Sequence, residues 1–274
     1  MTDRYALFGN PVSHSKSPLI HSAFAQALGH DIHYGLIEAP PGGFAAAALA
    51  FRDSGGKGAN VTTPFKLDAF ALATERLQRA ELAGAVNCLK FEPDGRILAE
   101  MFDGIGLVND IERNLGLALR GRRVLIVGAG GAVRGCLEPI LSRAPAALLV
   151  ANRSPAKAVA LAAQFACFGP VRGCGLEDVG GERFDLVLNG TSASLRGEAP
   201  AVPDGAYSGA SLAYEMVYGR GLTPFLRQAQ QAGVARVADG VGMLVEQAAE
   251  AWVWWRGVRP DTREVIDRLR VPLT

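Results

Sequence analysis

Apolar positions along this chain follow two rhythms, and the places where one gives way to the other mark its elements. Residues 4–8 (RYALF) and 32–38 (IHYGLIE) have strand character, and between them SPLIHSAFAQALG repeats its apolar residues at helical spacing and stops at Gly29. The pattern predicts a strand-helix-strand unit. A second helix is expected over 42–53, GANVT reads as a buried strand, and Pro64 opens a helix through about Arg76. GAVNCLKFEPDGRILAEM reads as a hairpin whose turn is the PDG at 93–95. From Gly104 the units alternate: helix 105–116, strand 123–127, helix 131–142, strand 147–151, helix 155–166, and strands near 171–175 and 184–189. Such alternation implies a parallel sheet covered on both faces. SLAYEMVY is a further strand, followed by a helix at 223–232, a short strand at 234–238 and a long helix from near Val241 through EQAAEAWVWW. That helix is apolar on most faces, so Trp252, Trp254 and Trp255 read as core or interface packing rather than as a stacking platform for bases.

A length of 274 residues accommodates two domains, each with its own core, and the short connection near Asp103 is the natural boundary. The 28 basic and 27 acidic residues are mixed along the chain, which argues against nucleic acid as a partner. No charged-then-apolar leader is evident and no apolar stretch reaches the ~18 residues of a membrane span, so a cytoplasmic protein is expected. Cys88, Cys136, Cys167 and Cys174 lack CxxC spacing, and His14, His21, His30 and His33 cluster near the start; no metal site is expected. His14 and His21, seven apart, fit one helix face but read better as solvated or capped histidines.

Chemistry enters at RRVLIVGAGGAVRG. Gly128, Gly130 and Gly131 stand where an apolar strand breaks into a helix, and their missing side chains allow backbone amides and a helix N-terminus to approach a pyrophosphate. The next strand ends in ANRSPAK. Where an NAD-binding chain would place a carboxylate for the ribose diol, this one has Asn152, Arg153, Ser154 and, one turn on, Lys157, a set that favours a 2′-phosphate and hence NADP. Val133 occupies the position of a third glycine, and a tight turn that binds nothing is the competing reading. Ser154 and Pro155 also suit an ordinary helix start; Lys157 does not, because a cation at the positive end of a helix wants an anion beside it.

Three polar stretches follow strands in the first part: SHSKS (13–17), NVTTPFK (60–66) and AVN (85–87), with Asp103 beyond them. In open α/β sheets ligands collect outside the carboxyl ends of strands. Ser15, Ser17 and Thr62 offer hydroxyls suited to a small carboxylate, and Asn60 and Asn87 offer amides suited to ring hydroxyls. Lys66, in the first turn of a helix whose positive end opposes a full ammonium charge, is suited to exchanging a proton with an alcohol oxygen, and Asp103 would orient it if the two meet. Taken singly, Ser17 before Pro18 and Asp103 before a helix are also ordinary caps.

FGNPVSHSKSPLIH, GANVTTPFK, GAVN, DGIG, GAGGAVR, NRS, YEMVY, TPFL and DGVGMLVEQAA together resemble the shikimate dehydrogenase family over nearly the whole chain. The resemblance implies an α/β substrate domain at 1–103 completed by C-terminal helices 241–274, and a Rossmann-like NADP domain with a doubly wound parallel sheet at 104–240. It implies reversible NADP-dependent reduction of 3-dehydroshikimate to shikimate, a step of aromatic amino-acid biosynthesis, by a monomer or homodimer. By motif position, Lys66 and Asp103 are the catalytic pair. Ser15, Ser17, Thr62 and Tyr218 hold the substrate carboxylate, and Asn87, Asp103 and Gln247 the ring hydroxyls. The turn residues Gly128, Ala129, Gly130, Gly131 and Ala132, with Asn152, Arg153, Lys157, Thr191, Met216, Gly240 and Met243, match positions lining the cofactor. Four departures stand out: Met101 and Phe102 replace Asn-Thr before Asp103, Cys88 replaces threonine, Gly190 alanine, and Glu215 aspartate. The first of these predicts more apolar surroundings for Asp103 and points to quinate or another cyclic hydroxy acid as the alternative substrate. A catalytically idle NADP-binding protein on the same fold is the reading from another class.

Overall fold

Strand β1 (Asp3–Gly9) sends alternate side chains to opposite faces: Ala6 and Phe8 join a core with Phe44, Phe51, Ala59 and Phe65, while Tyr5 and Leu7 pack with Val12 and Tyr34. Around it stand α1 (Ser17–Leu28), β2 (Ile32–Glu38), α2 (Phe44–Asp53), β3 (Gly56–Val61), α3 (Lys66–Leu72), β4 (Glu75–Arg76), α4 (Gln78–Ala83), β5 (Cys88–Phe91), β6 (Ile97–Glu100) and α5 (Asp103–Asn109). The strands form one sheet in the order β2-β1-β3-β5-β6-β4, with β1 parallel to both β2 and β3, and β5 antiparallel to β3 and β6. This is the computed structural model of residues 2–273, and its contacts divide the chain into two units. The first unit comprises the chain up to Gly106 together with Val245–Val265.

The helix expected from Pro64 to Arg76 is shorter. After the cis Thr63–Pro64 bond it starts at Lys66 and ends at Leu72, where Ala73 turns extended. Thr74 then exchanges two hydrogen bonds with Ile97, through its amide to the Ile97 carbonyl and through Oγ1 to the Ile97 amide, and draws residues 75–76 into the sheet beside β6. Sheet pairing outcompetes a helical pattern here. His21 is also not solvated: it is fully buried in α1 and stacks on Tyr34 with ring centroids 4.2 Å apart. Burial pulls its pKa down to about 3, so the ring is neutral. Trp252 is buried edge-on against Phe24, and Trp255 stacks on Tyr5.

The second unit, Leu107–Leu244 with the segment from Ile266, contains β7 (Arg123–Val127), α6 (Gly131–Leu141), β8 (Ala147–Asn152), α7 (Pro155–Phe165), β9 (Val171–Gly175), β10 (Leu186–Asn189), β11 (Leu212–Glu215), α8 (Pro224–Gln231) and β12 (Val237–Asp239). Every pairing in the order β12-β11-β10-β7-β8-β9 is parallel. Val124, Leu125, Ile126 and Val127 are all buried, which requires cover on both faces of the sheet. The helix expected over 105–116 is α-helical only to Asn109 and continues as a π-turn over Asp110–Asn114.

Helix α9 (Val241–Arg256) begins in the second unit and runs on into the first, and α10 (Arg263–Leu269) follows. Contacts group Val245–Val265 with the first unit and the segment from Ile266 with the second. The tail from Ile266 goes with the second unit because Leu273 packs against its core and the Arg270 charge lies by Asp239. No helix among the described residues is long and apolar enough to cross a membrane, and none of their His, Cys, Asp and Glu side chains gather in threes to hold a metal.

Candidate active site

At the carboxyl end of β1, Gly9 lies so close to β3 that a Cβ there would sit 2.6 Å from Thr62 Cγ2. The Asn10 amide donates to the Thr63 carbonyl, and the Thr62 amide to that of Phe8, so the loops carrying SHSKS and NVTTPFK are bound together. Ser15 donates to the Ser17 hydroxyl at 3.2 Å, and Ser17 also hydrogen-bonds Tyr34. The Tyr34 hydroxyl donates to Asn60 Oδ1 at 2.7 Å, and Asn60 Nδ2 to the Asn87 carbonyl at 3.4 Å. Thr62 is half-buried and follows directly on the strand that carries Asn60.

Lys66 opens α3 and Asp103 opens α5. Lys66 Nζ meets Asp103 Oδ2 at 2.5 Å, with side-chain exposures of 29% and 14%, so the pair is partly screened yet open to a ligand. The other carboxylate oxygen accepts from Asn87 Nδ2 at 2.7 Å. Asn87 is itself fixed: its Oδ1 accepts from the Phe102 amide at 2.8 Å, and Nδ2 also donates to Gln247 Oε1 at 3.2 Å. The Lys66 carbonyl accepts from the Val86 amide, anchoring the start of α3 beside the strand that carries Asn87. A carboxylate thus stands beside the ammonium in the first turn of its helix and holds Nζ at a defined point.

The surroundings of Asp103 are polar, contrary to the expectation drawn from Met101 and Phe102. Met101 packs with Ala83 and Ala85, while Phe102 packs with Cys88 and Ala251 and lies edge-on to Trp254 at 5.7 Å. Both side chains fill core space, and Lys66 and Asn87 are what the carboxylate touches.

In the second unit Gly128 has φ +114°, and a Cβ on it would lie 3.3 Å from both Gly190 and Thr191. Gly130 caps α6, and would-be Cβ positions at Gly130 and Gly131 meet nothing within 4 Å. Gly130, Gly131 and Ala132 are exposed and Ala129 partly so. The turn therefore offers open space over the N-terminus of an 11-residue helix, which fits a pyrophosphate. Val133 takes up room vacated elsewhere: its Cγ2 lies 2.4 Å from where a Cβ on Gly190 would stand. At the end of β8, Asn152 Nδ2 donates to the Ser154 carbonyl at 3.1 Å, and Arg153 and Lys157 are exposed. Ser154 sits at the N-cap of α7 without a side-chain capping bond, so its hydroxyl is not committed there. Thr191 donates through both its amide and its hydroxyl to Asn189 Oδ1. The Met216 amide donates to the Asn189 carbonyl, and Gly240 approaches so closely that a Cβ would stand 2.2 Å from the Met216 carbonyl oxygen. Met243 is half-buried in the first turn of α9. Tyr218 is 40% exposed in the loop after β11 of this unit, whereas the other candidate substrate residues all belong to the first.

Comparison with known proteins adds sequence-wide evidence. A shikimate dehydrogenase substrate binding domain matches residues 7–89, a Shikimate / quinate 5-dehydrogenase domain 110–195, and a Shikimate 5'-dehydrogenase C-terminal domain 240–270. A shikimate dehydrogenase (NADP(+)) of Nitrosospira multiformis is 56% identical over 273 residues, covering 100% of this chain and 99% of that protein. This chain belongs to the shikimate dehydrogenase family. A second relative of the same name, from Chromobacterium violaceum, is 53% identical over 98% of both chains. Among solved structures, an Ael1 enzyme from Pseudomonas putida superposes with TM-score 0.96 at 57% identity over 100% of both chains. The shikimate 5-dehydrogenase of Thermus thermophilus, solved with NADP(H) and shikimate, gives 0.85 at 28% identity over 98% of this chain and 100% of its own.

Within this family member, Tyr34 escapes a reading by motif, and Glu215, noted in sequence only as a departure from aspartate, gives there no sign of its partners. Tyr34 lies in the alternating pattern of β2 and looks like ordinary packing; its polar end on an inward position is the one signal of a partner. Glu215 ends a fully buried strand, where a carboxylate is costly unless donors surround it. It accepts from Asn189, Ser194, Thr223 and the Val217 amide, and burial raises its pKa against their pull.

Proposed function

We propose that the protein catalyses the reversible, NADP-dependent reduction of 3-dehydroshikimate to shikimate. The observation that carries this reading is the 2.5 Å contact between Lys66 and Asp103, with Asn87 joining Asp103 to Gln247. The first unit would serve as the substrate domain and the second as the NADP domain. The protein would work in the cytoplasm as a monomer or homodimer. Relatives at 52–56% identity over essentially the full chain bear the shikimate name, which favours this ring over quinate and favours an active enzyme over an idle binder.

NADPH, when bound, supplies the hydride that adds to the ring carbonyl carbon. Gly128, Ala129, Gly130, Gly131 and Ala132 would accommodate its pyrophosphate, and Asn152, Arg153, Ser154 and Lys157 its 2′-phosphate, with Thr191, Met216, Gly240 and Met243 completing the site. Ser15, Ser17, Thr62 and Tyr218 hold the substrate carboxylate, and Asn60, Asn87 and Gln247 the ring hydroxyls. Lys66 gives a proton from Nζ to the carbonyl oxygen as that oxygen gains charge, and the product hydroxyl carries it away. Asp103 keeps Nζ aimed and stabilises the ammonium before transfer. The partial exposure of Lys66 lets solvent return the proton. In the oxidative direction the same amine, neutral, takes the hydroxyl proton.

A spectrophotometric assay of the purified protein with dehydroshikimate and NADPH tests the proposal. Loss of NADPH absorbance that depends on the ring substrate, with a much lower efficiency for quinate and NADP in the reverse direction, is expected. NADPH bound but never consumed, or quinate turned over better than shikimate, would sink it.

A further inference from the structure

Glu215 is a wholly buried carboxylate whose partners are neutral donors drawn from four segments at the carboxyl edge of the second unit's sheet. It pairs in register with Asn189 on the neighbouring strand, and both strands end there. Asn189 Nδ2 reaches both Glu215 oxygens, at 2.9 and 3.2 Å. On its other side Asn189 receives the Thr191 amide and hydroxyl at 3.0 and 2.8 Å, and its carbonyl receives the Met216 amide. Glu215 in turn holds the Val217 amide at 3.2 Å, the Ser194 hydroxyl after Thr191, and the Thr223 hydroxyl that caps α8.

Stability alone does not call for this arrangement, since a well-packed apolar residue usually does as well as a buried charge. What the carboxylate adds is direction. Its two oxygens address donors on either side, the Ser194 hydroxyl in the short 3-10 turn that follows Thr191 and the Val217 amide that follows Met216, while residues 190–192 and 216–218 themselves lie outside any helix or strand. Behind the first loop, the Val133 methyl and the Met216 sulfur lie 2.4 and 3.0 Å from the point a Cβ on Gly190 would occupy, so the turn is also wedged from the side.

We infer that Glu215 is a positioning residue for the dinucleotide: acting through Asn189 and Val217, it sets the loops that present Thr191 and Met216. The inference rests on the NADP site proposed above and assigns control of cofactor affinity to a side chain that does not itself line the site.

The test is Glu215→Gln, which keeps shape and removes the charge. Fluorescence titration is expected to show an NADPH Kd about tenfold weaker, the order of one hydrogen bond to a charged group. The shikimate KM should move less than about twofold, because the ring is held elsewhere. Circular dichroism establishes that the variant is folded. Glu215→Asp, which retains the anion, should recover binding to within about threefold of the parent. An unchanged NADPH Kd in folded Glu215→Gln, or a shikimate KM that rises in parallel, overturns the inference. Should Glu215→Gln not fold, Ser194→Ala removes one of the carboxylate's donors; an NADPH Kd weaker by about two- to fivefold supports the inference and an unchanged one overturns it. A parent protein that fails to bind NADPH strikes the functional reading itself, whereas tight binding by the parent and an unaffected Glu215→Gln strike this inference alone.

Discussion

Lys66 and Asp103 each open a helix, and the 2.5 Å contact between them keeps Nζ from wandering. Lys66→Met removes the proposed proton donor while preserving bulk, and is expected to lower kcat by about 10²–10⁴-fold with a much smaller change in shikimate KM. Asp103→Asn should also lower kcat, and the double variant should be no worse than the poorer single, because the two act as one unit. Steady-state kinetics on the three variants checks this; additive losses would mean that the residues act independently. Lys66 stood out as a candidate because it closes the polar stretch NVTTPFK after a strand, whereas Asp103 follows the apolar Met101 and Phe102 and stood out only by its place at the domain junction and in the DGIG motif. Asn87 was legible as an amide, but its fixed orientation was not, since that depends on the Phe102 amide, fifteen residues away in sequence. Tyr34 was missed for a related reason: nothing local distinguishes a tyrosine that bonds Asn60 from one that merely packs.

Strands β7 and β8 are among the elements sequence describes best, since continuous apolar runs bounded by glycine and polar residues leave little choice of end, whereas β11 stops at Glu215, three residues short of the expected SLAYEMVY run, and β12 starts at Val237 rather than at 234. Strand β7 falls on residues 123–127 as the pattern predicts. Helix α3 fails where a distant strand competes for its last turn, as Thr74 and Ile97 show. The π-turn at Asp110–Asn114 has no local signature either: Asp110 is drawn into bonds with Tyr214 and Asn114, and its carboxylate lies 1.9 Å from where a Cβ on Gly242 would stand. Packing between elements also fixes single glycines. At Gly173 in β9 a Cβ would fall 2.2 Å from the backbone of Ala158 in α7. Gly173→Ala should destabilise by about 1–3 kcal/mol, visible in calorimetry as a melting midpoint lower by several degrees. Gly180→Ala is the matched control, with φ −58° and nothing within 4 Å of the added carbon, and should leave the midpoint unchanged or slightly raised. Equal effects from the two would contradict the packing account.

For the molecule as a whole, His21 shapes the acid limb of stability. Its folded pKa lies at about 3 because it is buried, below the ordinary value of 6.5, so between these the unfolded chain binds the additional proton. Its contribution is complete above pH ~6.5 and is lost as pH falls toward 3, on the order of 5 kcal/mol. Glu100, Glu215 and Asp239, whose pKa values burial raises, work in the opposite sense and recover part of this as they take up protons. His21→Phe should therefore show a shallower loss of melting temperature between about pH 6.5 and 4.5 than the parent; identical slopes would mean that His21 does not govern acid sensitivity. The two-domain α/β plan was legible from alternation alone, but the partition of the C-terminal tail was not, because it is decided by where Leu273 and Arg270 dock. One pair of neighbours constrains how this chain can change. Valine at 133 and glycine at 190 share a single volume, so alanine at 190 becomes admissible only after residue 133 has shrunk. The two positions can be exchanged in one order and not in the other, and a search that randomised 190 alone would return glycine however many variants it sampled.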